Sequence, residues 1–108
     1  HSKIGKGTNV LHGALINAGT IIGDNCIINT NAVIEHGSKV GNHCHISTGA
    51  LLNGDVSVGH GTFIGSGAVI RNGIFVGKTS IIGMGSQISK NVPDNSIVTL
   101  RENSWLPS

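Results

Sequence analysis

Residues 22–46 read IGDNCI-INTNAV-IEHGSK-VGNHCH-I when they are divided into groups of six. Each group begins with Ile or Val, and the rule extends in both directions. Stepping by six from Ile4 to Ile88 gives fifteen consecutive positions that are all Ile, Val or Leu. An amphipathic helix would need apolar residues at 3.6-residue spacing, and a hairpin protein would interrupt the period with loops. The stretch therefore indicates a hexapeptide repeat of short strands.

The other positions of each group predict a sharp corner. The residue four positions after each of these aliphatic residues has a small side chain, and Ile74 is the one large exception. Three residues after it the chain prefers Gly or Asn, and only His43, Asp55 and Thr79 depart from this preference. Gly and Asn tolerate the positive φ that the second central position of a type II turn requires. Each group is therefore a short strand followed by a turn.

Three such groups close one triangular coil. Glycine follows the aliphatic at positions 5, 23, 41, 59 and 77, once in every third group, which supports the coil length independently. We predict an all-β fold, a left-handed parallel β-helix shaped as a triangular prism of about five coils over residues 4–93. Pro93 ends the pattern, and we treat 94–108 as a C-terminal tail.

Composition excludes several classes of protein. The net charge is only +2 and the basic residues are scattered, so no nucleic-acid partner is expected. No apolar run approaches the roughly 18 residues of a membrane-spanning helix. No secretory signal is visible, and we expect a cytoplasmic protein. Cys26 and Cys44 stand one coil apart at the small inward position, so they are interpreted as two core residues.

The outward positions predict assembly. The residue before each core aliphatic should be polar in a monomer, but two faces of the prism are apolar. A threefold ring would bury two faces of every prism, so we predict a homotrimer. The first face carries Leu15, Val33, Leu51 and Val69, and the second carries Ile27, His45, Phe63 and Ile81.

His36 is the best candidate for chemistry. It lies at a corner, and one coil away the corner residue is Gly54, which has no side chain. A groove can open there, and the Gly54 N–H could meet a ligand carbonyl. Histidine suits general-base work near neutral pH. The alternative is a solvated corner histidine.

A second corner column contains Ser66 and Met84, each flanked by glycines. Such bare corners would let a long, thin ligand lie along the prism axis, although ordinary turn glycines explain most of them. Zinc is a further alternative. His12, His36 and His60 follow one another at a spacing of one coil plus one corner, so they spiral around the prism and cannot meet within one chain. Trimeric β-helix carbonic anhydrases bind zinc across subunit interfaces instead.

Three segments carry a resemblance to a known family. They are NTNAVIEH at 29–36, GNHCHISTG at 41–49 and LNG at 52–54. They resemble the sialic acid O-acetyltransferase family, which includes bacterial UDP-4-amino-sugar N-acetyltransferases of glycan biosynthesis. The resemblance implies an acetyl-CoA-dependent acetyltransferase that acts on an amine or hydroxyl of a sugar or nucleotide-sugar. It also implies a trimer with its sites between subunits.

The same resemblance implies roles for individual residues. His36 matches the catalytic base, and His45 matches a histidine that contacts acetyl-CoA. Gly54 matches the glycine whose backbone faces the acetyl carbonyl. Ser66 and Met84 fall at corners that contact the pantetheine arm, mainly through backbone.

The chain departs from the family in three ways, of which the first two support an alternative, a non-catalytic trimeric scaffold or binding domain. Family members usually have Asp or Glu after the catalytic histidine, and here the residue is Gly37. They usually carry an N-terminal α/β domain that binds the sugar nucleotide, which is absent from this chain. Their usual Gly-Val-Pro-Ala-type ending is replaced by the segment 98–105.

Overall fold

The computed structural model describes residues 2–100, which form a parallel β-solenoid. Every strand in this part of the chain is two residues long. The strands are β1 (Lys3–Ile4), β2 (Asn9–Val10), β3 (Leu15–Ile16), β4 (Ile21–Ile22), β5 (Ile27–Ile28), β6 (Val33–Ile34), β7 (Lys39–Val40), β8 (His45–Ile46), β9 (Leu51–Leu52), β10 (Ser57–Val58), β11 (Phe63–Ile64), β12 (Val69–Ile70), β13 (Phe75–Val76), β14 (Ile81–Ile82), β15 (Gln87–Ile88) and β16 (Ile97–Val98).

The strands stack into three parallel sheets. Sheet A has the order β1-β4-β7-β10-β13, sheet B has β2-β5-β8-β11-β14-β16, and sheet C has β3-β6-β9-β12-β15. From β1 to β15, each strand pairs with the strand one coil away, as in Ile27 against His45. The predicted fold class, an all-β left-handed parallel β-helix of about five coils, is confirmed.

Three columns of corner residues connect the sheets, and we name each column by the two sheets that it joins. The AB corner carries Lys6, Asp24, Asn42, His60 and Lys78. The BC corner carries His12, Thr30, Thr48, Ser66 and Met84. The CA corner carries Ala18, His36, Gly54, Asn72 and Lys90.

The corner code is also confirmed, because every position that it assigns from 7 to 85 has positive φ. The three residues that break the Gly/Asn preference obey the geometry: φ is 58° at His43, 58° at Asp55 and 49° at Thr79. The code is wrong at Asn91, which is not among the positive-φ residues. The side chain of Asn91 accepts a hydrogen bond from the Phe75 N–H at 2.8 Å instead.

Aliphatic and small side chains fill the interior as the repeat predicts. Ile28, Ile46 and Ile64 are fully buried. Small polar residues of the interior bridge neighbouring coils, with the exception of Ser86, whose buried hydroxyl has no hydrogen-bond partner within residues 2–100. The Ser38 hydroxyl donates to the Asn53 carbonyl at 3.0 Å and accepts from the Val56 N–H at 3.1 Å. Buried hydroxyls are therefore tolerated because they satisfy backbone groups at the corners.

Strand pairing continues past the point where the hexapeptide pattern ends. Ile97–Val98 pairs in parallel with Ile81–Ile82, although a full coil would bring Thr99 rather than Ile97 opposite Ile81. The division of the chain at Pro93 stays a prediction, and residues 101–108 of the tail lie outside the described residues. Within residues 2–100, no helix has the length and apolar character that a membrane span needs.

Candidate active site

An open pocket of about 450 Å³ lies at the CA corner. It is formed where strands of sheet C turn into strands of sheet A, so three consecutive coils contribute to it. Its lining is almost entirely polar and includes two carboxylates. The lining residues are Glu35, His36, Asn53, Gly54, Asp55 and Asn72.

The imidazole of His36 lies over Gly54 in this pocket. A Cβ built on Gly54 would be 3.1 Å from Cε1 and 3.3 Å from Nε2 of His36. Those separations are tighter than ordinary van der Waals contact, so a side chain at position 54 would push the ring away. Gly54 therefore keeps His36 in its present place, with the Nε2 edge of the ring turned toward Gly54.

Within residues 2–100, backbone N–H groups at the central turn position are capped at several places in the AB corner but not at His36, Gly54 or Asn72 in the CA corner. At the AB corner, the Asp24 N–H donates to Asn42 Oδ1 at 2.8 Å, and the Asn42 N–H donates to His60 Nδ1 at 2.7 Å. At the CA corner, the Gly54 N–H has no acceptor within residues 2–100. A free N–H beside an imidazole can bind a carbonyl oxygen or the oxyanion that develops from it.

The two carboxylates of the pocket have different surroundings. Glu35 accepts a hydrogen bond from the Asn17 side-chain amide one coil away. Asp55 is exposed, and its N–H donates to the His36 carbonyl at 3.0 Å. The backbones of Asp55 and His36 are thus tied together directly.

His45 lies on a different part of the prism. It projects from sheet B, is half-buried, and meets Phe63 edge to face with ring centroids 5.1 Å apart. The Asn29 side-chain amide lies 3.2 Å from His45 Nε2, where it can donate a hydrogen bond. The Asn29 side-chain carbonyl oxygen accepts from the Thr30 N–H at 2.7 Å, which fixes the orientation of the amide.

Ser66 and Met84 stack at the BC corner, away from His36. The Ser66 hydroxyl is 2.9 Å from the Ser47 hydroxyl, and Met84 is 67% exposed. Sheet C separates this corner from the CA corner within one chain. The structure therefore brings His36 and Gly54 together but does not bring all five predicted site residues together.

The two cysteines lie in the interior of the prism and are not part of the His36 pocket. Cys26 and Cys44 are buried, and each thiol donates to a glycine carbonyl at 3.0 Å. The hydrogen bond with Cys44 lowers the pKa of the Cys26 thiol to about 6, and the hydrogen bond with Cys26 raises the pKa of the Cys44 thiol. Both thiols are buried inside the prism, so neither is placed to attack a substrate. Among the described residues, no three His, Cys, Asp or Glu side chains are grouped to hold a metal ion.

Sequence reasoning missed four polar residues around these sites. Asn53, Asp55 and Asn72 line the His36 pocket, and Asn29 contacts His45. The coil period could have found Asn72 and Asp55, because they stack on the His36 and Gly37 columns. No sequence signal reveals the Asn29 contact, since it depends on the orientation of two side chains.

Known protein families match this chain along its hexapeptide repeat. Residues 1–36, 19–54 and 37–72 match the family described as bacterial transferase hexapeptide (six repeats), and residues 55–90 match the hexapeptide repeat of succinyl-transferase. Together these matches span most of the sequence. The chain therefore belongs to the bacterial hexapeptide-repeat transferases.

Solved structures show a more specific similarity, to sugar acetyltransferases. The acetyltransferase domain of PglB from Neisseria gonorrhoeae, also solved in complex with acetyl coenzyme A, is 35% identical over 91% of this chain, with a TM-score of 0.90. PerB from Caulobacter crescentus, in complex with CoA and GDP-perosamine, is 38% identical over 91% of this chain, again with a TM-score of 0.90. This chain spans about half of those chains, 48% and 47%. Comparison with curated proteins gives no match.

Proposed function

We propose that this chain carries the acetyltransferase site of an enzyme that moves an acetyl group from acetyl-CoA to an amine or hydroxyl of a sugar or nucleotide-sugar in bacterial surface glycan biosynthesis. The observation that carries the proposal is the His36 imidazole lying over Gly54 beside a free backbone N–H. The likeness to PglB and PerB supports the donor and the acceptor class.

The proposed reaction is direct transfer. His36 Nε2 takes a proton from the acceptor amine or hydroxyl as its nitrogen or oxygen attacks the thioester carbon. The Gly54 N–H donates to the oxyanion of the tetrahedral intermediate. The intermediate collapses, the C–S bond breaks, and the proton on His36 passes to the departing thiolate of CoA. No acyl-enzyme forms, in keeping with the buried cysteines.

Acetyl-CoA would lie between two protomers of a homotrimer in the cytoplasm. His45 would contact acetyl-CoA, while Ser66 and Met84 would contact the pantetheine arm at the BC corner. Exposed apolar residues on sheets B and C support this assembly: Leu15 is 52% exposed, Phe63 is 36% exposed and Ile81 is 47% exposed. A threefold ring would cover them. A monomeric mass by light scattering at micromolar concentration would contradict the trimer.

The proposal is tested by binding and turnover measured together. We expect isothermal titration with acetyl-CoA to show heat of binding, and thiol release from acetyl-CoA to accelerate with one member of an acceptor panel. The panel should contain UDP- and GDP-linked amino-sugars and sialic acids, which separates N- from O-acetylation. Titration with desulfo-CoA, which lacks the thiol and the acetyl group, is the matched control for the nucleotide part. No heat with acetyl-CoA would contradict the proposal.

A non-catalytic scaffold is the second candidate, and Gly37 is the observation that favours it. A scaffold should bind no acetyl-CoA, so the same titration separates the two functions. Zinc-dependent chemistry across subunits remains a lesser alternative, and metal analysis of the purified protein tests it. Stoichiometric zinc in the assembly would favour that alternative.

A further inference from the structure

Gly37 follows His36, so position 37 places no side chain beside the imidazole. The side chain of Asp55, in the next coil, lies over the Gly37 backbone. A Cβ built on Gly37 would overlap Oδ1 of Asp55, so the Asp55 carboxylate occupies the place where a side chain of residue 37 would begin. Asp55 and His36 also line the same pocket.

The orientation of Asp55 is a general property of this turn position. Asn25 lies in the same way over Gly7, and Asn31 lies over Gly13. What distinguishes Asp55 is its charge. Since Asn meets the turn geometry equally well, with φ of 54° and 57° at Asn25 and Asn31, the fold does not require a carboxylate at position 55.

The Asp55 carboxylate is also unengaged. Asp24 Oδ1 accepts from the Lys6 N–H at 2.8 Å, and Asp94 Oδ1 accepts from the Lys78 N–H at 2.9 Å. Glu35 accepts from an asparagine amide. Among the acidic residues within 2–100, Asp55 alone has a carboxylate with no hydrogen-bond partner in this part of the chain, and it lies in the His36 pocket.

We propose that Asp55 is a positioning residue for His36 and supplies from the next coil the negative charge that Gly37 cannot. This inference rests on the proposed function, because it assumes that His36 is the base. A carboxylate near an imidazole favours the tautomer that leaves one ring nitrogen free to accept a proton, and it stabilises the imidazolium that forms. Nε2 faces Gly54, so the favoured tautomer would carry its proton on Nδ1.

The kinetic test uses Asp55→Asn in the full chain, a change that keeps the side-chain size and the turn. We expect kcat to fall roughly ten- to a hundredfold, less than the 10²–10⁴-fold typical for a general base, with the Kd of acetyl-CoA unchanged. Adding Gly37→Asp to this variant should restore much of kcat, whereas adding Gly37→Asn should not. Wild-type kcat in Asp55→Asn, or equal rescue by both second changes, would overturn the inference.

A spectroscopic test works without turnover. The ¹⁵N chemical shifts of the His36 ring report which nitrogen carries the proton. We expect the Nδ1–H population to fall in Asp55→Asn and to stay unchanged in Asp24→Asn, which removes a carboxylate at the AB corner. An unchanged tautomer in Asp55→Asn would overturn the inference. If wild-type protein transfers no acetyl group to any acceptor, the proposed function fails, while the ring shifts still test Asp55.

Discussion

The AB and CA corners follow the same hexapeptide code but differ in what happens to their backbone N–H groups. At the AB corner, the side chain of one coil caps the N–H of the coil before it, as Asp24 caps Lys6 and His60 caps Asn42. At the CA corner, Gly54 has no side chain that could cap the His36 N–H. The Gly54 N–H is itself uncapped within residues 2–100.

The difference teaches how one repeat yields both structure and a site. Whether a turn N–H is capped depends on the residue stacked in the next coil and on its orientation, because Asn42 caps the Asp24 N–H whereas Asn72 does not cap the Gly54 N–H. A capped N–H adds a hydrogen bond between coils, while an uncapped one at the surface is left for water or a ligand. The AB corner is therefore expected to contribute stability, and the CA corner is expected to contribute binding and chemistry.

The most direct test of this difference between the corners is to remove one histidine from each. We expect His36→Ala to lower kcat by about 10²–10⁴-fold, because the proposed general base is removed. We expect His60→Ala to leave kcat near the wild-type value, because its ring caps a backbone group at the opposite corner. Steady-state turnover of both variants, with acetyl-CoA affinity by titration, checks this. Equal losses in the two variants would mean that the corners do not divide these roles.

A second change tests why the CA corner must stay open. Gly54→Ala adds a Cβ that would lie 3.1 Å from Cε1 of His36, so the ring must move. We expect kcat to fall by about 10²-fold, which is typical of a displacement of about 1 Å in an active site. Folding should be unaffected, because Ala18 already occupies the same position one coil below His36.

Two measurements are needed to interpret the effect of Gly54→Ala. Turnover gives the loss of activity, and thermal unfolding shows whether the prism is intact. Wild-type turnover would show that the position of the ring does not matter. Lower turnover with a large loss of stability would instead place Gly54 among the structural glycines.

A third prediction concerns stability at the AB corner. Asp24→Ala removes the acceptor of the Lys6 N–H, and His60→Ala removes the acceptor of the Asn42 N–H. Each should lower the free energy of unfolding by about 0.5–1.5 kcal/mol, the net value of a typical hydrogen bond. His36→Ala should change it by less, because no hydrogen bond is found for the His36 ring within residues 2–100. Urea unfolding of the three variants tests this, and equal losses would contradict the prediction.

The repeat made the fold predictable because its evidence is redundant. Fifteen aliphatic positions agree on one period, so unfavourable residues such as His43 and Thr79 still adopt the turn geometry around them. The prediction failed at Asn91, where the period ends and the chain returns to sheet B through Ile97–Val98 before a full coil is complete. Pairing there continues although the sequence period does not.

The site was predictable only in part. The coil period brings His36 over Gly54, and this proximity follows from counting along the sequence. The orientation of a side chain cannot be predicted from the repeat period. The Asp55 carboxylate over Gly37 and the Asn29 amide beside His45 depend on rotamers within the assembled coil.

The smallest expected effect concerns strain at the two corners. Thr79 at the AB corner and Asp55 at the CA corner both have positive φ, 49° and 58°. Asp tolerates this region far better than a β-branched residue does. We therefore expect Thr79→Asn to raise the free energy of unfolding by about 0.5–1 kcal/mol, part of the roughly 1–3 kcal/mol that such strain stores, and Asp55→Asn to change it little.

The gain at Thr79 is limited by the bonds that its hydroxyl makes. Its Oγ1 donates to the Lys78 carbonyl at 2.8 Å and contacts the Asn95 side chain, and both contacts are exposed. Urea unfolding with kcat as a second readout separates the possibilities. A loss of stability in Thr79→Asn would show that these bonds outweigh the strain. A change in kcat would show that the AB corner is coupled to the site, and the division between the two corners would then be wrong.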